Sequence, residues 1–229
     1  VSWAQHVAWL DAHWQPGEHC SIIAATGDGK SHLIRCILEA VWKDARVVVI
    51  DPTEDDRNFG HPAFRTVTKH PTKLQMTVHN KPLWYRTVPA SGRAGREPVQ
   101  SVMSGARKDR EWVIVVDEVR KVTDARDPCY GLAAEYEENM LRARKRDVTM
   151  ISATQAPRWV PSCFYDQPKY LYLGRIRDRR ARIRLEEISG ADADDVIGGI
   201  NQLKQFEFLF VAPDDYMVIV HAPAKHTEA

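Results

Sequence analysis

The chain has 229 residues, 44% of them hydrophobic and 28% charged, with a formal net charge of +1; these values suit one folded α/β domain and exclude a disordered or fibrous chain. No run approaches the roughly 18 apolar residues of a membrane span, and the opening Val-Ser-Trp-Ala has neither the basic start nor the apolar centre of a signal peptide, so cytoplasmic residence is expected. Cys20, Cys36, Cys129 and Cys163 lack C-x-x-C pairing and nearby histidines at ligand spacing, which points to reduced thiols and away from zinc or a disulfide framework.

In chain order, Trp3, Val7, Leu10 and Trp14 fall on one face of a helix that Pro16-Gly17 ends, and this helix is expected to cover an edge of a sheet. The apolar run Cys20 to Ala24 reads as a strand, and His32 to Trp42 as a helix turning Leu33, Ile37, Leu38 and Val41 inward. Val47-Val48-Val49-Ile50, apolar on both faces, reads as a buried parallel strand stopped by Asp51-Pro52. Between Thr53 and His79 only short elements can be placed. A strand is predicted from Leu83 to Val88, a polar mobile loop from Pro89 to Gly95, and a helix from Val99 to Lys108. Trp112 to Val116 is another fully apolar strand, with Asp117-Glu118 at its carboxyl end. A long helix is predicted from about Leu132 to Arg146, then strands Val148 to Ala153 and Lys169 to Leu173. A helix from Ala191 to Leu203 precedes Phe206 to Val211 and Met217 to His221, which flank Pro213-Asp214-Asp215 as a closing hairpin. The expected fold is α/β, with a mainly parallel central sheet flanked by helices and a C-terminal β-hairpin. Residues 1–16 form the N-terminal helix, 17–190 the nucleotide-binding core, and 191–229 the last helix and hairpin.

Ala24-Ala25-Thr26-Gly27-Asp28-Gly29-Lys30-Ser31 fits the spacing of a phosphate-binding P-loop, with Ala24 where the first glycine often stands. It follows a predicted strand and opens a predicted helix, so Ala25 to His32 can aim backbone N–H groups and the positive helix end at phosphate oxygens. Lys30 is expected to reach the β- and γ-phosphates of ATP, and the Ser31 hydroxyl to join the Mg²⁺ shell. Asp28 is an unwelcome charge beside a polyphosphate, so its side chain is expected to leave the cradle toward solvent or a neighbouring subunit. Asp117 and Glu118 have the Walker B arrangement: Asp117 is the expected Mg²⁺ ligand, and Glu118 the group that polarises the attacking water. Gln155, ending the strand after Thr149, is placed near the γ-phosphate if that strand lies between the P-loop and Asp117 strands.

These residues resemble the FtsK and HerA-like translocating ATPases, which include conjugation pumps and packaging ATPases of membrane-containing viruses. Thr26 to Ser31 is similar to that family's P-loop, Val113 to Glu118 to its Walker B, and Ser152-Ala153-Thr154-Gln155-Ala156-Pro157 to its Ala-Thr-Gln-x-Pro segment. Tyr172-Leu173-Gly174-Arg175-Ile176-Arg177-Asp178 looks like its Leu-Gly-Arg stretch, so the anchors run from about residue 20 to 190. The resemblance implies a RecA-like P-loop fold of the ASCE type, ATP hydrolysis, and a homo-oligomeric ring, a hexamer, around double-stranded DNA. In that family an arginine at a fixed distance before the sensor glutamine reaches into the neighbour's ATP site, and at that distance before Gln155 stands Arg144. Arg93, Arg96, Arg120, Lys121 and Arg126 lie in loops that a channel arrangement would turn toward DNA phosphates. Without the extra modules of larger relatives, the chain suits viral genome packaging, in host cytoplasm or at a virion vertex beside portal or vertex proteins, better than chromosome segregation. A plasmid or conjugative motor is the alternative. Outside this class, a small-molecule kinase shares the P-loop but needs a second substrate pocket, and a nucleotide-gated switch would not need Glu118. Asn80-Lys81-Pro82-Leu83 lacks the acid of a guanine reader.

Overall fold

The computed structural model describes residues 1–53, 58–60, 63–71, 84–126, 128–176 and 193–224. Its strands are β1 Cys20–Ile23, β2 Arg46–Ile50, β3 Phe64–Thr66, β4 Trp84–Thr87, β5 Trp112–Asp117, β6 Thr149–Thr154, β7 Tyr170–Leu173, β8 Glu207–Ala212 and β9 Tyr216–His221. They form one sheet in the order β3-β4-β2-β5-β6-β1-β7-β8-β9. Pairing is parallel from β3 through β7 and antiparallel for β7–β8 and β8–β9. The predicted strands are present within a residue or two at each end, and β3 is an addition to them.

Unalternating apolar strands need cover on both faces, and β2 shows how the sheet supplies it. Val47 and Val49 share one face and one core with Leu33 and Ile37 of α2 Lys30–Val41, and the same core continues to Leu10 of α1 Trp3–His13. Val48 and Ile50 pack on the opposite face with Val99, Met103, Tyr136 and Met140, from α3 Arg96–Asp109 and α5 Ala133–Arg142. Between these two lies the short helix α4 Val119–Thr123. β6, inserted between β1 and β5, makes this the RecA-like ASCE arrangement, with the loop after β1, Gln155 after β6 and Asp117-Glu118 closing β5 at adjacent strand ends. The hairpin predicted at Pro213-Asp214-Asp215 is present, and both aspartates have positive φ, as a primed hairpin turn requires.

The N-terminal helix covers an edge of the sheet as expected, at β8–β9, where Trp9 stacks on Tyr216 at 4.7 Å between ring centroids, and it buries His6 as well as Leu10. Two local expectations are corrected. The segment Pro89 to Gly95, expected as a mobile loop, ends in a packed 3₁₀ turn over Gly92–Gly95: Gly92 and Gly95 are buried, and the Gly92 N–H donates to the Pro128 carbonyl at 2.9 Å. The helix predicted to reach Arg146 ends as an α-helix at Arg142 and tightens into a 3₁₀ turn over Ala143–Arg146, which tucks Ala143 inside and leaves Arg144 exposed. Arg177-Asp178 at the end of the Leu-Gly-Arg stretch, residues 72–83 and the start of the helix predicted at Ala191 lie outside the described residues. The four cysteines are unpaired. Among the described residues no helix is long and apolar enough to cross a membrane.

His19 ties the start of β1 to two other elements. Its Nε2–H donates to the Met140 carbonyl at 3.0 Å, and its Nδ1 accepts from the Met150 N–H at 3.1 Å. Only the neutral ring can make both bonds, and burial pushes its pKa down to about 4. His6 is likewise pushed down to about 4 by burial, with its Nε2 at 2.7 Å from the Tyr172 hydroxyl. A histidine kept neutral in the folded state is protonated first in the unfolded chain, so each contributes stability that is fully present above pH 6.5 and is lost as pH falls toward 4. The loss is up to roughly 3 kcal/mol per histidine. Urea unfolding curves should therefore shift to lower midpoints across this window, and His19→Gln, which can donate and accept without titrating, should flatten the dependence.

Candidate nucleotide site

β1 runs into a loop in which Gly27 and Gly29 hold φ of 83° and 90°, left-handed values that suit glycine. Gly29 is the N-cap of α2, and the first intrahelical bond runs from the Leu33 N–H to the Gly29 carbonyl at 2.8 Å. The amides ahead of Leu33 are those that a helix start leaves for an anion. Ala24, standing where a glycine is common, is tolerated because its neighbour is Gly174: a Cβ added there would lie 2.4 Å from the Ala24 Cβ. The Lys30 ammonium donates to the carbonyls of Ala24 at 2.9 Å and Ala25 at 3.2 Å, folded back over its own loop.

The acids meet this loop through the strand order. The Ser31 hydroxyl donates to Asp117 Oδ2 at 2.8 Å, joining the first turn of α2 to the end of β5. Glu118 follows in the left-handed region at φ 78°, and is only 7% exposed. That backbone angle turns its carboxylate across the end of β6, where Oε1 accepts from the Thr154 hydroxyl at 2.8 Å and Oε2 from the Gln155 N–H at 3.2 Å. Both oxygens keep lone pairs for a further donor. The Gln155 side chain in turn accepts from the Thr26 hydroxyl of the P-loop. Thr26, Gly27, Gly29, Lys30, Ser31, His32, Asp117, Glu118 and Gln155 thus line one cleft of about 380 Å³, together with Thr53, Asn58 and Phe206. A hydroxyl and a carboxylate in contact are hard oxygen donors of the kind Mg²⁺ takes beside phosphate and water.

Asp28 does leave the cradle, but not toward solvent or a neighbour. It is buried, and Oδ1 accepts from Arg175 Nε at 3.0 Å and from a second guanidinium nitrogen, while Oδ2 has no hydrogen-bond partner. The Leu-Gly-Arg stretch thereby neutralises the unwelcome charge, and the pairing pushes the Arg175 pKa up. Nothing local marked this pair, because its members are joined only by the β1–β7 pairing. His32 lines the cleft with its ring committed elsewhere, since Nε2 donates to the Pro223 carbonyl at 2.6 Å; its backbone amide is what it can offer an anion.

Arg144 is not brought to this cleft. It stands before β6, whose carboxyl end carries Gln155, and six residues of strand at about 3.3 Å each put roughly 20 Å between them. The basic loop residues fare differently. Arg93 is exposed in the turn after β4 and Arg96 at the first position of α3, and Arg120, Lys121 and Arg126 follow β5, on the same rim as the cleft. The two loops are stitched together, because Gly92 N–H reaches Pro128 O and Tyr130 Oη donates to Pro89 O at 3.3 Å. Arg126 is held by Asp124, whose pKa that guanidinium pushes well below the carboxylate range. Sequence reasoning missed Trp159, which is 49% exposed and has the guanidinium groups of Arg120, Arg126 and Arg158 at 5.9, 4.8 and 5.7 Å from its ring centroid. Its place just beyond Gln155-Ala156-Pro157 was the available signal.

Residues 10–80 match the family described as Helicase HerA, central domain. No curated protein matches the sequence. Among solved structures, the genome packaging NTPase B204 of Sulfolobus turreted icosahedral virus 2 is similar, with TM-score 0.65 and 16% identity, covering 92% of this chain and 99% of that one. B204 of Sulfolobus turreted icosahedral virus, a DNA-packaging ATPase, superposes with TM-score 0.66 at 17% identity over 91% of this chain and 98% of that one. VirB4 of Thermoanaerobacter pseudethanolicus gives TM-score 0.62 and 15% identity, covering 90% of this chain and 89% of the other. The P-loop, the ASCE strand order and the match of residues 10–80 to the HerA central domain agree on a P-loop NTPase fold, similar to that of viral genome-packaging NTPases.

Proposed function

We propose that the chain is a motor domain that hydrolyses ATP with Mg²⁺ to move double-stranded DNA, in viral genome packaging, as a ring of identical subunits. The observation that carries the reading is the junction of three neighbouring strand ends. Ser31 meets Asp117 there, and Glu118 is fixed by Thr154 and Gln155 within one cleft. That junction supports hydrolysis because a P-loop, a hydroxyl–carboxylate pair and a second carboxylate share one cleft.

In this reading the P-loop amides from Ala25 to His32 hold the phosphates, and the Lys30 ammonium leaves the Ala24 and Ala25 carbonyls for the β- and γ-oxygens. Ser31 and Asp117 would hold Mg²⁺, which when bound would neutralise charge on the phosphates. Glu118 accepts the proton of a water whose oxygen attacks the γ-phosphorus, as the bond from that phosphorus to the ADP oxygen breaks. Gln155, tied to both Glu118 and Thr26, sits where loss of the γ-phosphate would be felt. Arg144 acts on the neighbouring subunit's site. Packaging is favoured over other DNA transport by the likeness in fold to two packaging NTPases along nearly their whole length. The docking partners would then be portal or vertex proteins.

DNA contacts are assigned to the joined rim loops, with Arg93, Arg96, Arg120, Lys121 and Arg126 gripping phosphates without reading bases. Arg158 and Trp159 extend the same surface. Double-stranded DNA should raise steady-state ATP turnover at low salt, with the stimulation fading as salt rises because counterion release drives binding. A flat response at low salt, from protein whose solution mass shows a ring, would reject the DNA motor in favour of another cargo.

A further inference from the structure

We infer that Phe206 is the platform on which the base of the bound nucleoside triphosphate stacks, an inference that rests on reading the cleft as the ATP site. The sheet order sets the direction of the ligand. β6 and β5, with Gln155, Asp117 and Glu118 at their ends, lie on one side of β1, whereas β7 and β8 lie on the other. A triphosphate with its γ end at the acids must send its nucleoside toward β8. Phe206 immediately precedes β8 and lines the same cleft.

Its ring is set directly against the phosphate loop. A Cβ added to Gly29 would meet Phe206 Cδ1 at 2.7 Å and Cε1 at 3.3 Å. The adjacent Gln205 side chain donates to the Gly27 carbonyl at 3.2 Å, so residues 205 and 206 are fastened to both loop glycines. The backbone is anchored too, by the Ala222 N–H donating to the Phe206 carbonyl at 3.1 Å. Phe206 nevertheless holds φ 67°, a left-handed value that costs a bulky residue energy, while the residue stays 38% exposed. An aromatic ring held in an unfavourable conformation, yet left uncovered by the core, is presented for a ligand. A flat heteroaromatic base is the part of a nucleotide whose face fits it.

Calorimetric titration with ATP and with inorganic tripolyphosphate, each with Mg²⁺, separates this from its rivals. Wild type should bind ATP more tightly than tripolyphosphate. Phe206→Ala should weaken ATP about ten-fold and leave tripolyphosphate unchanged, while Phe206→Tyr should keep wild-type affinity for both. Equal loss of both ligands in Phe206→Ala would make the ring a mere prop for Gly29, and unchanged ATP binding would remove its role; either result overturns the inference. Wild-type protein that bound tripolyphosphate as tightly as ATP would overturn it as well and leave the phosphate site standing. Binding of neither ligand would bring down the nucleotide-site reading itself.

Discussion

Glu118→Gln should bind ATP as the wild type does and lose turnover by about 10²- to 10⁴-fold, the range for removal of a positioned general base. The substitution is close to neutral for the fold because the hydrogen bonds around the carboxylate can be reassigned. A glutamine oxygen facing the Gln155 N–H keeps that bond, and its amide can donate to the Thr154 hydroxyl, which accepts as readily as it donates. What is lost is the capacity to take a proton. The Ser31–Asp117 contact and the loop amides, which carry binding in this reading, do not touch the altered atoms. Calorimetry for ATP affinity and single-turnover phosphate release for chemistry check the two halves separately. Turnover unchanged beside intact binding would take Glu118 out of the reaction and hand the water to another group.

The parts of this site that could be read from the sequence are those whose chemistry is local. A P-loop is fixed by glycines that permit left-handed angles and by the strand and helix around it, so Gly27, Gly29, Lys30 and Ser31 identify themselves. Asp117 and Glu118 are equally legible, since four apolar residues before them bury a strand and bring acids to its tip. Gln155 needed one topological fact, that its strand lies between the other two, and the sheet order supplies it. The remaining features depend on packing across long sequence distances. Asp28 reads alone as a surface charge, and only the β1–β7 pairing delivers Arg175 to it. Phe206 reads as the first residue of a strand, yet its backbone turns away just before β8 begins. The turn from Pro89 to Gly95 has the composition of a loose loop, but contacts with Pro128 and Tyr130 organise it.

Arg144→Ala should reduce turnover by about 10³-fold or more, as removal of an arginine finger does in other phosphoryl-transfer enzymes, and a second inactive subunit should restore it. The structure makes the first half a strict test of trans action. Arg144 is held at the end of the sheet opposite the cleft by its backbone: the Asp147 N–H donates to its carbonyl at 3.2 Å, and Gly17 packs so closely that an added Cβ would lie 2.8 Å from that oxygen. It cannot swing to its own subunit's ATP. Its guanidinium is exposed and has no hydrogen bond or ion pair among the described residues, whereas the nearby Arg142 is paired with Glu138 at 3.3 Å. In a head-to-tail ring the exposed end of one subunit can face the cleft of the next. An Arg144→Ala subunit keeps its cleft and lacks the finger, and a Lys30→Ala subunit has the reverse defects. Mixed in equal amounts, they pair an intact cleft with an intact finger at about a quarter of interfaces if assembly is random and every interface is heterologous. ATP turnover of the mixture should therefore rise well above either parent. A mixture no more active than its components would show that the two residues never meet at one site, and Arg144 would revert to a solvated residue at the end of the 3₁₀ turn.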